Sequence, residues 1–288
     1  MPLLATPGVL LWDVPERAGH GTNSRMDRPL PDVEALLPTV GTAAVWITGF
    51  AAGSAPRLVE LASTLLTPGE RSRAERMRLA EARCEFILGR AILRTLLAER
   101  LGCTAATVPL EAIPQHKPRL VGGPVPIQFN LSHAGGRIAL AMTLGVVVGV
   151  DIEMIDHEVE FLEIAGSHFA SAERGALLRT RGEERANCFF RLWTRKEALV
   201  KAAGDGLTLP LDGFDVSPAL PEELALTIDS LESGPGVWHV RDLEVDGPFA
   251  AALAVSQPHL AVSQMMLDEQ QALALLQAAA AAQGQLVA

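Results

Sequence analysis

The stretch "VVVGVDIEM", Val146–Met154, reads as a buried strand that emerges into two acids. Four valines around Gly149 supply the β-branched, continuous apolar run of a core strand. Asp151 and Glu153, at i and i+2, share one face while Ile152 points the other way. Just upstream, "IQFNLSHAGGRIALAMT" (127–143) is extended, and the glycines at 135, 136, 145 and 149 suggest strand, hairpin and strand. After Asp156 the apolar period turns helical. The join near 150–157 therefore separates two runs with the same order, helix then strands, which points to an α+β protein of two similar lobes.

Working outward, "AAVWITGFA" (43–51) reads as the first strand. The run from Thr67 to Gly102 is helical, with Thr67 and Pro68 suited to the cap and first turn, an apolar stripe through Phe86, Leu93, Leu96 and Leu97, a break near Leu79 and a stop at Gly102. Its stretch 70–100 carries eight arginines (71, 73, 76, 78, 83, 90, 94, 100) against five acids (70, 75, 81, 85, 99), read mostly as solvated helix faces. "VPLEAIPQHKPRL" (108–120) is extended. In the second half Ser171 suits an N-cap, and a long helix from about Glu184 ends at Gly204. "DGFDVSP", "VWHVRDLEV" and "PFAAALAVS" read as extended, and the Ala-rich tail as a helix. Four regions follow: an N-terminal arm (1–43, rich in Pro and Gly and partly flexible), a first lobe (44–150), a second (151–262) and the tail (263–288).

The 288 residues are 49% hydrophobic and 20% charged, enough to bury a sizeable core. A formal charge of −10 argues against general nucleic-acid binding, which needs a basic surface to neutralise phosphate. Cys84, Cys103 and Cys188 form no CxxC pair, so neither a zinc site nor a disulfide framework is expected. No basic leader opens the chain, and no run approaches the roughly 18–20 apolar residues of a membrane span. The expectation is a cytoplasmic protein without nucleic-acid or membrane partners.

Three segments and two further basic residues could carry chemistry. Asp151 and Glu153 are either two solvated acids or the carboxylates of a hard cation such as Mg²⁺, which takes one or two protein carboxylates plus water and phosphate oxygens. In "FRLWTRKEALVKAAGDGL" (190–207), Trp193, Glu197 and Lys201 are four apart and line one helix face. Glu197 and Lys201 form either a surface ion pair or, beside the strand acids, a third oxygen ligand and a phosphate-binding cation. Lys196 projects about 100° away, toward another surface or the same ligand from the side. In "QFNLSHAGG", Ser132 and His133 sit by two glycines that let backbone approach a ligand. Lys117 is pinned by Pro118, and Arg73 offers a guanidinium fork suited to phosphate. No G-x-S-x-G elbow, P-loop, G-x-G-x-x-G after a strand or H-E-x-x-H occurs.

Together and in this order, "HKP", "FNLSHAGG", "VGVDIE" and "LWTRKEALVKAAGDGL", preceded by the "FILGRAILRTLL" helix, resemble the 4′-phosphopantetheinyl transferases of the surfactin-synthetase-activating type, over about residues 45–260. The resemblance implies two α+β lobes related by a pseudo-two-fold axis, each a small, mainly antiparallel sheet on a long helix, with the active site in the cleft between them. It implies that coenzyme A is the substrate and that its 4′-phosphopantetheine arm moves to a serine of an acyl or peptidyl carrier protein, releasing adenosine 3′,5′-bisphosphate. By the same resemblance Asp151, Glu153 and Glu197 hold Mg²⁺, Lys201 meets the pyrophosphate, Ser132, His133 and Asn130 belong to the phosphate-contacting segment, Lys117 and Pro118 form the adenine-side turn, and Arg73 faces the 3′-phosphate. Lys196 contacts the same substrate. Glu197, directly or through a metal-bound water, is the candidate proton acceptor. Glu70 stands where some members have a second lysine, for which Arg71 or Arg76 would compensate. The implied protein is a monomer, because one chain supplies both lobes. A non-catalytic carrier-binding module, or another Mg²⁺-dependent phosphoryl enzyme such as a nucleotide hydrolase, is the competing reading.

Overall fold

The computed structural model describes residues 37–50, 55–111, 117–122, 126–204, 209–217, 224–228 and 236–285. The N-terminal arm up to residue 36, Gln115 and His116 of the "QHKPRL" turn, and "DGL" after the long helix fall outside them. The chain is α+β, with its strands in two four-stranded sheets and a two-stranded ribbon.

Strand β1 (Thr42–Gly49) opens the first sheet and is buried along nearly its whole length. Helix α1 (Ala55–Thr64) follows, then α2 (Pro68–Glu75) and α3 (Ala80–Leu101). Helix α1 has no separate signal in the sequence pattern. The break between α2 and α3 falls at Leu79, as the pattern suggested. Thr67 caps α2 through a capping box with Glu70, and Pro68 occupies the first turn, where its missing N–H costs nothing. Gly102 ends α3 at φ 62°, a left-handed conformation that a side chain resists. The short pair β2 (Leu110–Glu111) and β3 (Arg119–Leu120) leads into the hairpin of β4 (Ile127–Ala134) and β5 (Arg137–Leu144).

The second sheet begins with β6 (Val148–Met154). Helices α4 (Phe161–His168), α5 (Ser171–Arg179) and α6 (Gly182–Ala203) follow, then β7 (Leu224–Ile228), β8 (Gly236–Asp242) and β9 (Phe249–Val255). Ser171 is the first helical residue of α5 rather than its cap: Ala170 takes the cap position, and its N–H donates to Glu173 at 2.7 Å. "DGFDVSP" opens in a 3₁₀ turn, Leu211–Gly213, instead of a strand. Strand β10 (Ala261–Leu267) returns to the first sheet and pairs parallel with β1, and helix α7 (Glu269–Gln285) packs Leu275 and Leu276 into the same core.

The sheet orders are β10-β1-β5-β4 and β6-β9-β8-β7, so β4 and β6 are both edge strands. A shared apolar core, including Val45, Ala139, Val150 and Leu253, lies between the sheets. Across the seam, side chains of β4 do what a ladder would: Asn130 Oδ1 accepts from the Val150 N–H at 2.9 Å, and Ser132 Oγ donates to Asp151 Oδ1 at 2.8 Å. Helix α6 lies directly on β6 at Gly149, where a Cβ would stand 2.0 Å from the Ala198 carbonyl oxygen and 2.4 Å from the Ala202 nitrogen. That approach fixes Glu197 and Lys201, each one residue earlier on the helix, relative to Asp151.

Candidate active site

A cleft of about 300 Å³ opens beside this seam. Arg73 comes from α2, Lys117 and Pro118 from the turn before β3, Asn130 and His133 from β4, and Lys201 from the last turn of α6. Six expected site residues from segments far apart in the chain thus line one cavity. Lys117 Nζ also reaches the Lys201 carbonyl at 3.4 Å, and burial pulls this lysine below its ordinary range.

Lys201 Nζ bonds Ser132 Oγ at 2.9 Å and pairs with Asp151 Oδ1. Burial alone would lower this ammonium, but Asp151, with Glu197 and Glu153 beyond it, more than offsets that and raises it above the usual lysine range. Asp151 is buried, and among the described residues its second oxygen, Oδ2, has no hydrogen-bond partner. Burial pushes Glu153 up, repulsion from Asp151 and Glu197 adds to it, and Lys201 and the Trp193 indole only partly compensate, leaving its carboxyl at about 8. Glu197 is likewise held above the carboxylate range by burial and by Asp151, with Lys201 and His168 opposing. Three acids therefore share one field. Among the described residues, however, no three His, Cys, Asp or Glu side chains stand together as a ready metal group. The donor set suits a hard divalent cation in chemistry: three carboxylates in mutual repulsion, one with an orphaned buried oxygen.

Residues 147–254, from just before β6 to β9, match the model of the 4′-phosphopantetheinyl transferase superfamily. The chain is 32% identical over 202 residues to the 4′-phosphopantetheinyl transferase HetI of Nostoc sp., a match taking in 69% of this chain and 82% of that protein. The chain belongs to the 4′-phosphopantetheinyl transferases. It is 27% identical over 195 residues to the transferase Sfp of Bacillus subtilis, covering 68% of this chain and 84% of Sfp. With a Synechocystis sp. relative it shares 33% identity over 145 residues, 50% of this chain and 59% of that protein. Transfer of the phosphopantetheine arm to carrier proteins is the activity of this enzyme family.

As a phosphopantetheinyl transferase the chain departs from the sequence reading at several residues. Lys196 does not reach the cleft. It is fully buried, with Nζ 2.9 Å from Glu173 Oε2 and bonded to the Leu211 and Phe214 carbonyls. Its ammonium lies over the Phe214 ring at 4.3 Å, so it fastens the segment after α6 instead of contacting substrate. The arginines of 70–100 are not all solvated either. Arg94 is 2% exposed, bonding Glu70 at 2.7 Å and the Ala105 and Val108 carbonyls. Arg71 turns back to the Ser63 and Leu66 carbonyls and so does not replace the missing lysine. Arg90 is the second arginine of the cleft, stacked with Arg73 on Phe86 at 5.6 and 5.1 Å. Phe86, Arg90, Leu93, Phe129 and Leu131 of the lining were missed as site residues. The only sequence signal for them was that two helical turns and alternate β4 positions point the same way.

Proposed function

We propose that the chain transfers the 4′-phosphopantetheine arm of coenzyme A to a serine of an acyl or peptidyl carrier protein, with Mg²⁺, releasing adenosine 3′,5′-bisphosphate. The observation carrying this reading is the cleft itself, where Arg73, Arg90, Lys117, His133 and Lys201 converge next to Asp151 with its unpartnered oxygen. Five cationic or hydrogen-donating side chains at a cavity of this size suit a substrate with a diphosphate and a third phosphate.

Asp151, Glu153 and Glu197 would hold the cation. When bound it supplies Lewis-acid polarisation and charge neutralisation at the diphosphate. Lys201, already tied to Ser132 and Asp151, points its ammonium at the leaving group's charge. Ser132 and His133 contact phosphate oxygens, Arg73 and Arg90 take the 3′-phosphate, and Lys117 with Pro118 borders the adenine. Glu197, raised by burial and by Asp151, accepts the carrier serine's proton on its carboxylate as the serine oxygen attacks phosphorus.

The cleft lies between two lobes, 44–150 and 151–262, related by a pseudo-two-fold axis. In support, each sheet is accompanied by a helix of 22 residues, α3 or α6, ending at a left-handed glycine, Gly102 at φ 62° or Gly204 at φ 82°. One chain supplies both walls, which favours a monomer. Among the described residues no helix is long and apolar enough to cross a membrane, and the reading places the enzyme in the cytoplasm. With −10 overall, broad charge attraction cannot draw an acidic carrier helix, so docking rests on an apolar groove or a local basic patch.

The test is a mass measurement. Protein, Mg²⁺, coenzyme A and an apo carrier domain are mixed, and the carrier must gain the phosphopantetheine mass at its serine. Bisphosphate released from coenzyme A without carrier would instead identify a hydrolase, and an unmodified carrier that still binds would identify a non-catalytic module.

A further inference from the structure

Glu85, on α3, takes no part in the reaction as derived above, yet it is buried and both its oxygens are engaged. Oε1 accepts from the Gly136 N–H at 2.9 Å, and Oε2 lies 2.9 Å from His133 Nδ1. Gly135 and Gly136, at φ 54° and 73°, form the turn between β4 and β5, one residue beyond Ala134. One carboxylate thus grips both the ring of His133 and the turn that ends its strand. An ionised carboxylate only accepts hydrogen bonds, so the Nδ1 facing it carries hydrogen. Nε2 is left on the opposite edge of a ring that lines the cleft.

We infer that Glu85 is a positioning residue for His133: it holds the ring through Nδ1 and the hairpin turn through Gly136, so that Nε2 is presented to the phosphate oxygens of the substrate, to which it donates when both ring nitrogens carry hydrogen. This rests on the proposed reading in which His133 contacts coenzyme A in the cleft. A purely structural Glu85 would tie down the turn and nothing more. The two roles separate in Glu85→Gln, which keeps the shape but has one acceptor and one donor end. With its oxygen kept on the Gly136 N–H, the amide nitrogen faces Nδ1 and requires it to accept, which moves the ring hydrogen of the neutral form to Nε2.

The experiment is nitrogen-15 histidine NMR on the full chain without substrate, followed by steady-state kinetics. The expected result is an Nδ1-protonated His133 in the native protein and an Nε2-protonated one in E85Q. KM for coenzyme A should rise about tenfold with kcat within about threefold, because the amide nitrogen of Gln cannot accept from Nδ1 of the doubly protonated ring that meets phosphate, and the E85Q/H133A double variant should be no worse than H133A alone. An unchanged tautomer in E85Q, or a KM loss that adds to that of H133A, overturns the positioning role. If E85Q does not fold, the native spectrum suffices, because a His133 protonated at Nε2 and not at Nδ1 overturns it directly. An H133A variant with unchanged KM for coenzyme A overturns the reading beneath, recognisably, since the tautomer switch in E85Q is measured without substrate.

Discussion

Glu70 accepts from the Thr67 N–H at 3.0 Å and from Arg94 Nε at 2.7 Å, with Arg90 Nε 3.4 Å from its other oxygen. Burial alone would raise this carboxyl. The Arg94 hydrogen bond, the Thr67 N–H and the two guanidinium charges outweigh burial and hold it below the usual value. A folded-state pKa below the unfolded one contributes stability that is present above the unfolded value of about 4.5 and is lost as pH falls through the folded one. Glu70→Gln should therefore cost about 2 kcal/mol at pH 7. In melts run between pH 7 and pH 3, the gap to the native protein should narrow progressively below about pH 4.5. A gap that stays constant would mean the charge contributes nothing. The same carboxylate holds Arg90 by the cleft, which gives an acid at this position a use. At Glu197 the expectation is chemical instead: Glu197→Gln should lower turnover by about 100-fold or more while the melting temperature moves only a few degrees. Retained turnover in the carrier mass assay would remove Glu197 from the proton transfer.

At the scale of elements, what the sequence announced were contacts made within a few residues. The capping box from Thr67 to Glu70, the glycine stops at 102 and 204, and the shared face of Asp151 and Glu153 are all local. The i, i+4 spacing of Trp193, Glu197 and Lys201 needs only a helix. Lys196 was misread because its partner, Glu173, lies on another helix, and nothing in "TRKEAL" tells a buried ammonium from an exposed one. The charges of 70–100 read as mostly solvated for the same reason, yet Glu85 and Arg94 are buried. Gly149 was read as part of the turn chemistry, whereas it sits inside β6 where α6 backbone comes closest. A methyl there has no flexible neighbour to push aside. Gly149→Ala should cost about 3 kcal/mol and separate α6 from β6, taking Glu197 and Lys201 away from Asp151. Val148→Ala, one residue earlier on the same strand, should lose a comparable stability of about 2 kcal/mol by leaving a small void. Denaturant midpoints and carrier turnover on both variants are the check: turnover should collapse in G149A and persist in V148A. Equal activity in the two would show that the helix-to-strand spacing is not what sets the site.

Over the whole molecule the site depends on two sheets meeting at strands that would otherwise be exposed edges. Strand β10 was not separable from the tail by pattern, because its partner β1 lies at the far end of the chain and parallel pairing leaves no turn signal between them. The seam of β4 and β6 was equally hidden, since the bonds named across it use side chains of β4 and not a backbone ladder. Asn130 is the clearest case: it was assigned to the phosphate-contacting segment, and the structure puts its Oδ1 on the Val150 N–H, directly before Asp151. Asn130→Leu keeps the branched shape but leaves a buried N–H unpaired, which should cost about 2 kcal/mol. If the seam also sets the spacing between Ser132 and Asp151, the loss will extend to catalysis. KM for coenzyme A should then rise in N130L by about tenfold even at temperatures where the variant is fully folded, because Ser132, Lys201 and Asp151 share one set of bonds across that join. Circular dichroism to verify folding and initial rates over a range of coenzyme A concentrations decide it. A destabilised variant with native KM would leave Asn130 holding the sheets together without tuning the cleft, and the placement of Asp151 would then rest on β6 and α6 alone.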